Sequence, residues 1–297
     1  MANSKDKQWS RRAQAFWQQR QQKATPGALT GYLLDESPAS IGAQRFQGEW
    51  GQALGFLAAS GIARGRCLDV GCGTGIWMRA LAHEFKAVEG WDYAPAMVKA
   101  ARRNLADAGV RNATLHVGSV TQRRGRAVFD LIFVGGVLMY TPPSELGALL
   151  KGLARLLKPG GLLILRESTT EGGTWMRQGD PLRTGLLAGG GHSDLDYVAV
   201  YRSRAALEAA LLQAGLQVQA VRPNLHYKIS DLTEDWLRRL DRLLGGGIRR
   251  HPAWASRSAR WIYRLRWLLH DPEIFVRHRL GFRPWKLENH WFLAGKS

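Results

Sequence analysis

The run Asp69-Val70-Gly71-Cys72-Gly73-Thr74-Gly75 is followed by a second acid, Asp92, seventeen residues past its last glycine. The apolar stretch Cys67-Leu68-Asp69-Val70 leads into it, and an amphipathic stretch over 76–85 leads out. That order is strand, glycine turn, helix. Glycines let a backbone approach a ligand closely, and a helix N-terminus presents free N–H groups. A second apolar run over 87–91 ends in Asp92, the place from which a carboxylate accepts hydrogen bonds from two ribose hydroxyls. The chemistry is the capture of a nucleoside-containing cofactor. Dinucleotide sites read Gly-x-Gly-x-x-Gly. Here the spacing is Gly71-x-Gly73-x-Gly75, with Asp69 two positions ahead of it. A carboxylate there repels a pyrophosphate and suits a ligand carrying an ammonium and a sulfonium, which disfavours a dehydrogenase.

Four segments in order, Asp69 to Gly75, Asp92-Tyr93-Ala94-Pro95-Ala96-Met97, Phe129-Asp130-Leu131-Ile132-Phe133-Val134 and Leu157-Lys158-Pro159-Gly160-Gly161, resemble the class I S-adenosylmethionine-dependent methyltransferases. The resemblance spans about residues 60–170. It implies S-adenosyl-L-methionine as cofactor, with Asp69, Gly71, Gly73 and Gly75 around its methionine part. It further implies that Asp92 holds the ribose, that Tyr93, Ser119 and Val120 border the adenine, and that Gly135 and Gly136 let the cofactor lie close to backbone. The chain departs from the family at Gly118-Ser119, where relatives carry Gly-Asp, and at Leu138-Met139-Tyr140, where many carry a His. No Asn-Pro-Pro-Tyr signature follows the fourth strand, which disfavours methylation of base amines in nucleic acid.

Methyl transfer from a sulfonium is an in-line displacement, so the protein contributes alignment, water exclusion and, for a hydroxyl acceptor, a base. Candidate bases at the acceptor edge are His192, Glu167 and Tyr140, with Asp194 and His226 behind them; Arg166 and Arg202 are candidate clamps for an acidic acceptor. The eight histidines show no ligand spacing on one element, so no metal set is read. The implied enzyme is a methyltransferase acting on a small-molecule acceptor, lipid- or sugar-linked, an anionic one included. A protein or RNA methyltransferase, and a non-catalytic anion-binding protein that keeps the fold, stand as alternatives.

The elements that position these residues alternate. Strands are expected at 66–70, 87–92, 113–117, 129–134 and 161–166, and helices at 75–84, 94–108, 144–157 and 204–214. Strands at 216–221 and 289–294 complete an α/β fold: a doubly wound, mostly parallel seven-stranded sheet of the Rossmann-like methyltransferase type. The family folds its last strand back antiparallel. Four parts follow: an N-terminal helical extension (1–59), the methyltransferase core (60–224), a basic Trp/Arg-rich helical insertion before the last strand (225–287), and the final strand (288–297). In the extension, Trp9, Ala13, Phe16 and Trp17 share one face of a helix over 8–23 and dock it on the core, a second helix is expected over 43–59, and 25–40 reads as loop. Residues 168–197 read as a long Gly-rich loop.

Composition bounds the partners. The 297 residues carry a formal charge of +18, and 236–286 alone holds twelve Arg and one Lys against three acids. That segment also contains five Trp, and it leaves from the ligand-binding edge. It reads as a lid or acceptor-recognition element, or as a surface for an anionic partner or membrane. No run reaches the ~18 apolar residues of a transmembrane segment. Two cysteines, Cys67 and Cys72, form no zinc or disulfide pattern, and no signal h-region is visible, so the expected compartment is the cytoplasm.

Overall fold

The computed structural model describes residues 4–23, 39–178, 197–248, 250–269 and 287–296. Five parallel strands form its spine: β1 (Arg66–Val70), β2 (Ala87–Asp92), β3 (Ala113–Val117), β4 (Phe129–Gly135) and β5 (Leu157–Thr170), in the order β3-β2-β1-β4-β5. The order reverses between β1 and β4, so a crevice opens there beyond the carboxyl ends of the strands. The central strands are apolar on both sides, as burial on two faces requires. Leu68, Val70, Ile132, Val134, Leu163 and Leu165 face α5 (Pro143–Leu156) and α6 (Arg204–Gln213). Cys67, Leu131, Phe133, Leu162 and Ile164 face α2 (Ala39–Ser60), α3 (Ile76–Leu81) and α4 (Pro95–Asp107).

The last strand, β9 (Glu288–Gly295), runs antiparallel to β5, and β8 (Gln217–Pro223) runs antiparallel to β9, which leaves β8 parallel to the spine. All seven expected strands are therefore present. Two more appear in place of the front and rear of the expected loop. β5 runs on to Thr170, because Ser168 and Thr169 pair with Asn289 and Glu288 of β9. Beyond it, β6 (Trp175–Gln178) pairs with β7 (Val198–Ser203), and β7 pairs in parallel with the tail of β5. The apolar content of Val198 to Tyr201, all buried, drives the second of these. Residues 179–196 lie outside the described residues. The Lys158-Pro159-Gly160-Gly161 turn is absorbed into β5 as an irregularity: Phe129 pairs with Leu157, but Leu131 pairs with Leu162. Helix α3 is shorter than expected, ending at Leu81.

Two helical groups flank the core. α7 (Leu225–Leu243) leaves the carboxyl end of β8 and packs with α8 (Pro252–Leu268) and α2 around Ile41, Leu237, Ile248, Ala255 and Ala259. The N-terminal α1 (Ser4–Lys23) stands apart from that group. Its Trp9 and Ala13 bury against Val198 and Val200, and its Phe16 against Tyr197, Ala199 and Tyr201. Most of the expected loop at 25–40 lies outside the described residues; Ala39 and Ser40 open α2.

Candidate active site

The turn after β1 is built from three left-handed glycines, Gly71 (φ 66°), Gly73 (φ 52°) and Gly75 (φ 82°). A Cβ on Gly71 would come within 2.4 Å of Val137, whereas one on Gly73 would meet nothing within 4 Å. The first glycine is demanded by packing; the second faces open space that a ligand can use. Asp92 ties the turn to β2: Gly73 N–H donates to its Oδ2 at 3.0 Å and Ala94 N–H to its Oδ1 at 2.8 Å. Each oxygen keeps lone pairs for a further donor. Burial raises the Asp92 pKa against these two N–H groups.

Asp69 lies beneath the turn. Burial, then the neighbouring Asp92 charge, push its pKa up to about 8 against the pull of the Arg166 guanidinium. Its Oδ2 has no hydrogen-bond partner among the described residues. A buried acceptor left in that state costs about 1–3 kcal/mol, and a cation or N–H donor relieves it.

The crevice has a wide part and a narrow part. The wide part is a cavity of about 780 Å³ bounded by Asp92, Tyr93, Ser119, Val120, Val137 and Tyr140. Ser119 Oγ lies 2.8 Å from Thr121 Oγ1, and both side chains border the cavity. The narrow part, about 50 Å³, is walled by Trp17, Tyr93, Met97, Tyr140 and the backbone of Gly71, Gly73, Gly135 and Gly136. Nine of the ten sequence-derived cofactor residues are thus gathered at one crevice or, for Gly75, in the turn that shapes it; Asp69 sits buried directly below.

The roof is α1, which the sequence reading treated only as a docked helix. Lys7, Ser10, Arg11 and Gln14 line the wide cavity and Trp17 the narrow one. Gln14 Nε2 donates to Tyr93 O at 2.6 Å, Gln18 Oε1 accepts from Ala96 N at 2.9 Å, and Trp9 Nε1 donates to Tyr140 O at 3.2 Å. The spacing 7, 10, 11, 14 is one helical face adjoining the apolar one, and was the signal available for it. The basic insertion, expected as a lid, supplies none of the described residues that line either cavity.

The candidate bases separate. Tyr140 borders both cavities, and burial holds its phenol well above its ordinary pKa, so it stays protonated at neutral pH. Its ring packs edge-on to Trp17 and Tyr197, and the Tyr197 and Tyr201 hydroxyls lie 2.7 Å apart. Glu167 lines neither cavity. Its Oε1 accepts from Val137 N at 2.6 Å and Leu138 N at 2.7 Å, fixing the turn that carries Tyr140. Burial pushes it up to about 7 against those two donors and the charges of Arg166 and Arg202. The geometry makes it a positioning residue rather than a base. His192 and Asp194 lie outside the described residues. His226 is buried in the helical group: it stacks on Trp267 at 4.0 Å and its Nδ1 is 2.9 Å from the Tyr263 hydroxyl.

The two expected arginine clamps are turned inward. Arg202 donates to Leu138 O at 2.7 Å and Thr141 O at 2.6 Å. Arg166 donates to Glu49 Oε2 at 2.6 Å; Glu49 Oε1 also accepts from Arg45 Nε at 2.9 Å and Asn224 Nδ2 at 2.7 Å. Among the described residues no group of three His, Cys, Asp or Glu side chains is placed to hold a metal ion.

The methyltransferase-domain family matches residues 67–161. Two curated ubiquinone biosynthesis O-methyltransferases are similar to the chain. The one from Xanthomonas euvesicatoria pv. vesicatoria is 32% identical over 164 residues, covering 54% of this chain and 66% of the relative. The one from Xylella fastidiosa strain 9a5c is 30% identical over 164 residues, covering 54% and 64%. The chain thus spans just under two thirds of the length of these relatives. Among solved structures, a SAM-dependent methyltransferase from Leishmania major superposes with a TM-score of 0.56 at 16% identity, over 73% of this chain and 76% of that one. Phosphoethanolamine N-methyltransferase 2 from Haemonchus contortus, in complex with S-adenosyl-L-methionine, gives 0.53 at 19% identity, over 83% and 52%. The fold, the glycine turn and these relatives define one class: residues 67–161 form a methyltransferase domain, and the chain is similar to the class I S-adenosylmethionine-dependent methyltransferases. The residues fit that family's cofactor, since the partnerless Asp69 Oδ2, the free lone pairs of Asp92 and the open space at Gly73 suit a ligand with a cationic end and two hydroxyls.

Proposed function

We propose that this protein transfers a methyl group from S-adenosylmethionine to a small acceptor, or to the small reactive head of a lipid-linked one. The narrow end of the crevice carries this reading. Its volume of about 50 Å³ is little more than one water's share of the liquid, ~30 Å³. With the cofactor's reacting end against Gly71, Gly73, Gly135 and Gly136, Trp17 and Tyr140 leave room beside it for only a few acceptor atoms, which suits a small acceptor group. The bound cofactor supplies an electrophilic methyl on a sulfonium. Asp92 orients the sugar, the glycine turn brings backbone close, and Trp17 and Tyr140 exclude water from the reacting end. An oxygen acceptor is favoured by the curated relatives named for O-methylation. Its proton then leaves to a base or to water, and the neutral Tyr140 phenol is placed to orient the acceptor oxygen.

The test is methyl transfer from labelled S-adenosylmethionine across phenols, amines, carboxylates, short peptides and RNA. Transfer to a small phenolic or lipid-linked hydroxyl supports the reading. Turnover confined to peptide or RNA contradicts it.

A further inference from the structure

Helix α8 carries a second apolar stripe on its outward side. Its inward positions are Ala255, Ala259 and Tyr263, all buried, with Ile262 packed beside them, yet several large apolar residues point outward. Trp254 is 65% exposed, Trp261 74%, Leu265 55% and Leu268 75%. At about 100° per residue these four fall within roughly 60° of one another on the side away from Ala255 and Ala259. Arg257, Arg260 and Arg264, all exposed, run along one flank of the stripe. The helix has four Arg and no acid. Leu243 and Leu244, at the end of α7, add a second exposed apolar corner. No described helix is long and apolar enough to cross a membrane.

A continuous apolar stripe edged by cations marks an interaction site rather than scattered surface residues. Two chemistries could answer the charge: a nucleic acid or an anionic membrane. Nucleic-acid sites pair cations with aromatic platforms for base stacking. Trp254 and Trp261 could serve as such platforms, but Leu265, Leu268, Leu243 and Leu244 could not; the Leu residues suit acyl chains, and Trp suits the interfacial zone, so a bilayer accounts for the whole stripe. We propose that the outward face of α8 is a docking surface for an anionic phospholipid bilayer, with the helix lying in the plane of the interface, the Trp/Leu stripe below the headgroups and the arginines among the phosphates.

The test is co-sedimentation of the full chain with vesicles of phosphatidylcholine alone or containing about a third phosphatidylglycerol. The wild-type protein is expected to partition onto the anionic vesicles at least about tenfold more strongly than onto the neutral ones. W254S/W261S and R257Q/R260Q/R264Q, which change only exposed side chains, should each lose about tenfold on anionic vesicles with circular dichroism unchanged. Any of these results overturns the proposal: no partition onto anionic vesicles, equal partition of wild type onto both kinds, wild-type partition in W254S/W261S or in R257Q/R260Q/R264Q, or wild-type binding abolished by a short RNA that the chain binds more tightly than lipid. A dimer that W254S/W261S dissolves would show that a second copy covers the face, and would overturn it equally.

Discussion

At the scale of single residues, Asp69 is the most informative. Its pKa is raised to about 8, above the ~3.9 of an exposed carboxyl, so between those values the folded chain holds a proton that the unfolded chain has lost. Its ionisation therefore adds no cost below about pH 4, and costs stability increasingly as pH rises toward 8. A cationic ligand favours the ionised form. Binding of S-adenosylmethionine should thus release a proton and tighten as pH rises from about 6 to 8. Calorimetry in buffers of different ionisation enthalpy measures this directly, and Asp69→Asn should bind weakly with a flat profile. Glu167 makes the complementary prediction. If it only holds the Val137 and Leu138 N–H groups, Glu167→Gln keeps an acceptor oxygen and turnover stays within about tenfold; loss of a general base would cost about 10²–10⁴-fold. Steady-state kcat separates the two.

At the scale of elements, α1 lines the crevice, where the insertion was expected to stand. It is tied to the rim by Gln14, Gln18 and Trp9 and seated on β7 through Phe16. A helix lying over a ligand cavity at the edge of the fold opens more readily than the sheet beneath it. Hydrogen exchange in residues 4–23 is expected to slow when S-adenosylmethionine is bound, while exchange in β1 and β4 changes little; identical exchange with and without ligand would remove α1 from the site. Trp17→Ala should raise the KM for the acceptor more than the Kd for the cofactor, because Trp17 borders only the narrow cavity.

Across the whole molecule, Glu49 joins parts that are far apart in sequence. It binds Arg166 of β5, Arg45 on its own helix and Asn224 at the start of α7. Truncation to Glu49→Ala takes the shared carboxylate from two buried guanidinium groups, and removing one side of a buried pair costs about 3–5 kcal/mol. Thermal unfolding should fall by roughly 2–4 °C per kcal/mol for a chain of this size. The tie itself was not legible in the sequence, since Glu49 and Arg166 stand 117 residues apart and carry no local pattern. The glycine turn, Asp92 and the alternation of strands were legible because each is a short-range rule: three positive-φ glycines, an acid at a strand end, apolar runs of strand length. What periodicity could not say was which side of a helix faces in. The apolar face of α1 gave its docking but hid the polar face that roofs the crevice. In α8 the inward side is taken by Ala255, Ala259 and Tyr263, and Trp254 and Trp261 are left outside. The strand β7 was missed because its six residues follow a Gly-rich stretch that reads as loop.

The central claim is that the crevice over Gly71, Gly73 and Asp92 holds S-adenosylmethionine. Isothermal titration of wild type and Asp92→Ala with S-adenosylmethionine and with NAD measures it. Saturable binding of S-adenosylmethionine is expected, none of NAD, and a loss of about 100-fold or more in affinity on Asp92→Ala with the fold retained by circular dichroism. Tight NAD binding, or S-adenosylmethionine affinity unchanged by Asp92→Ala, would contradict it.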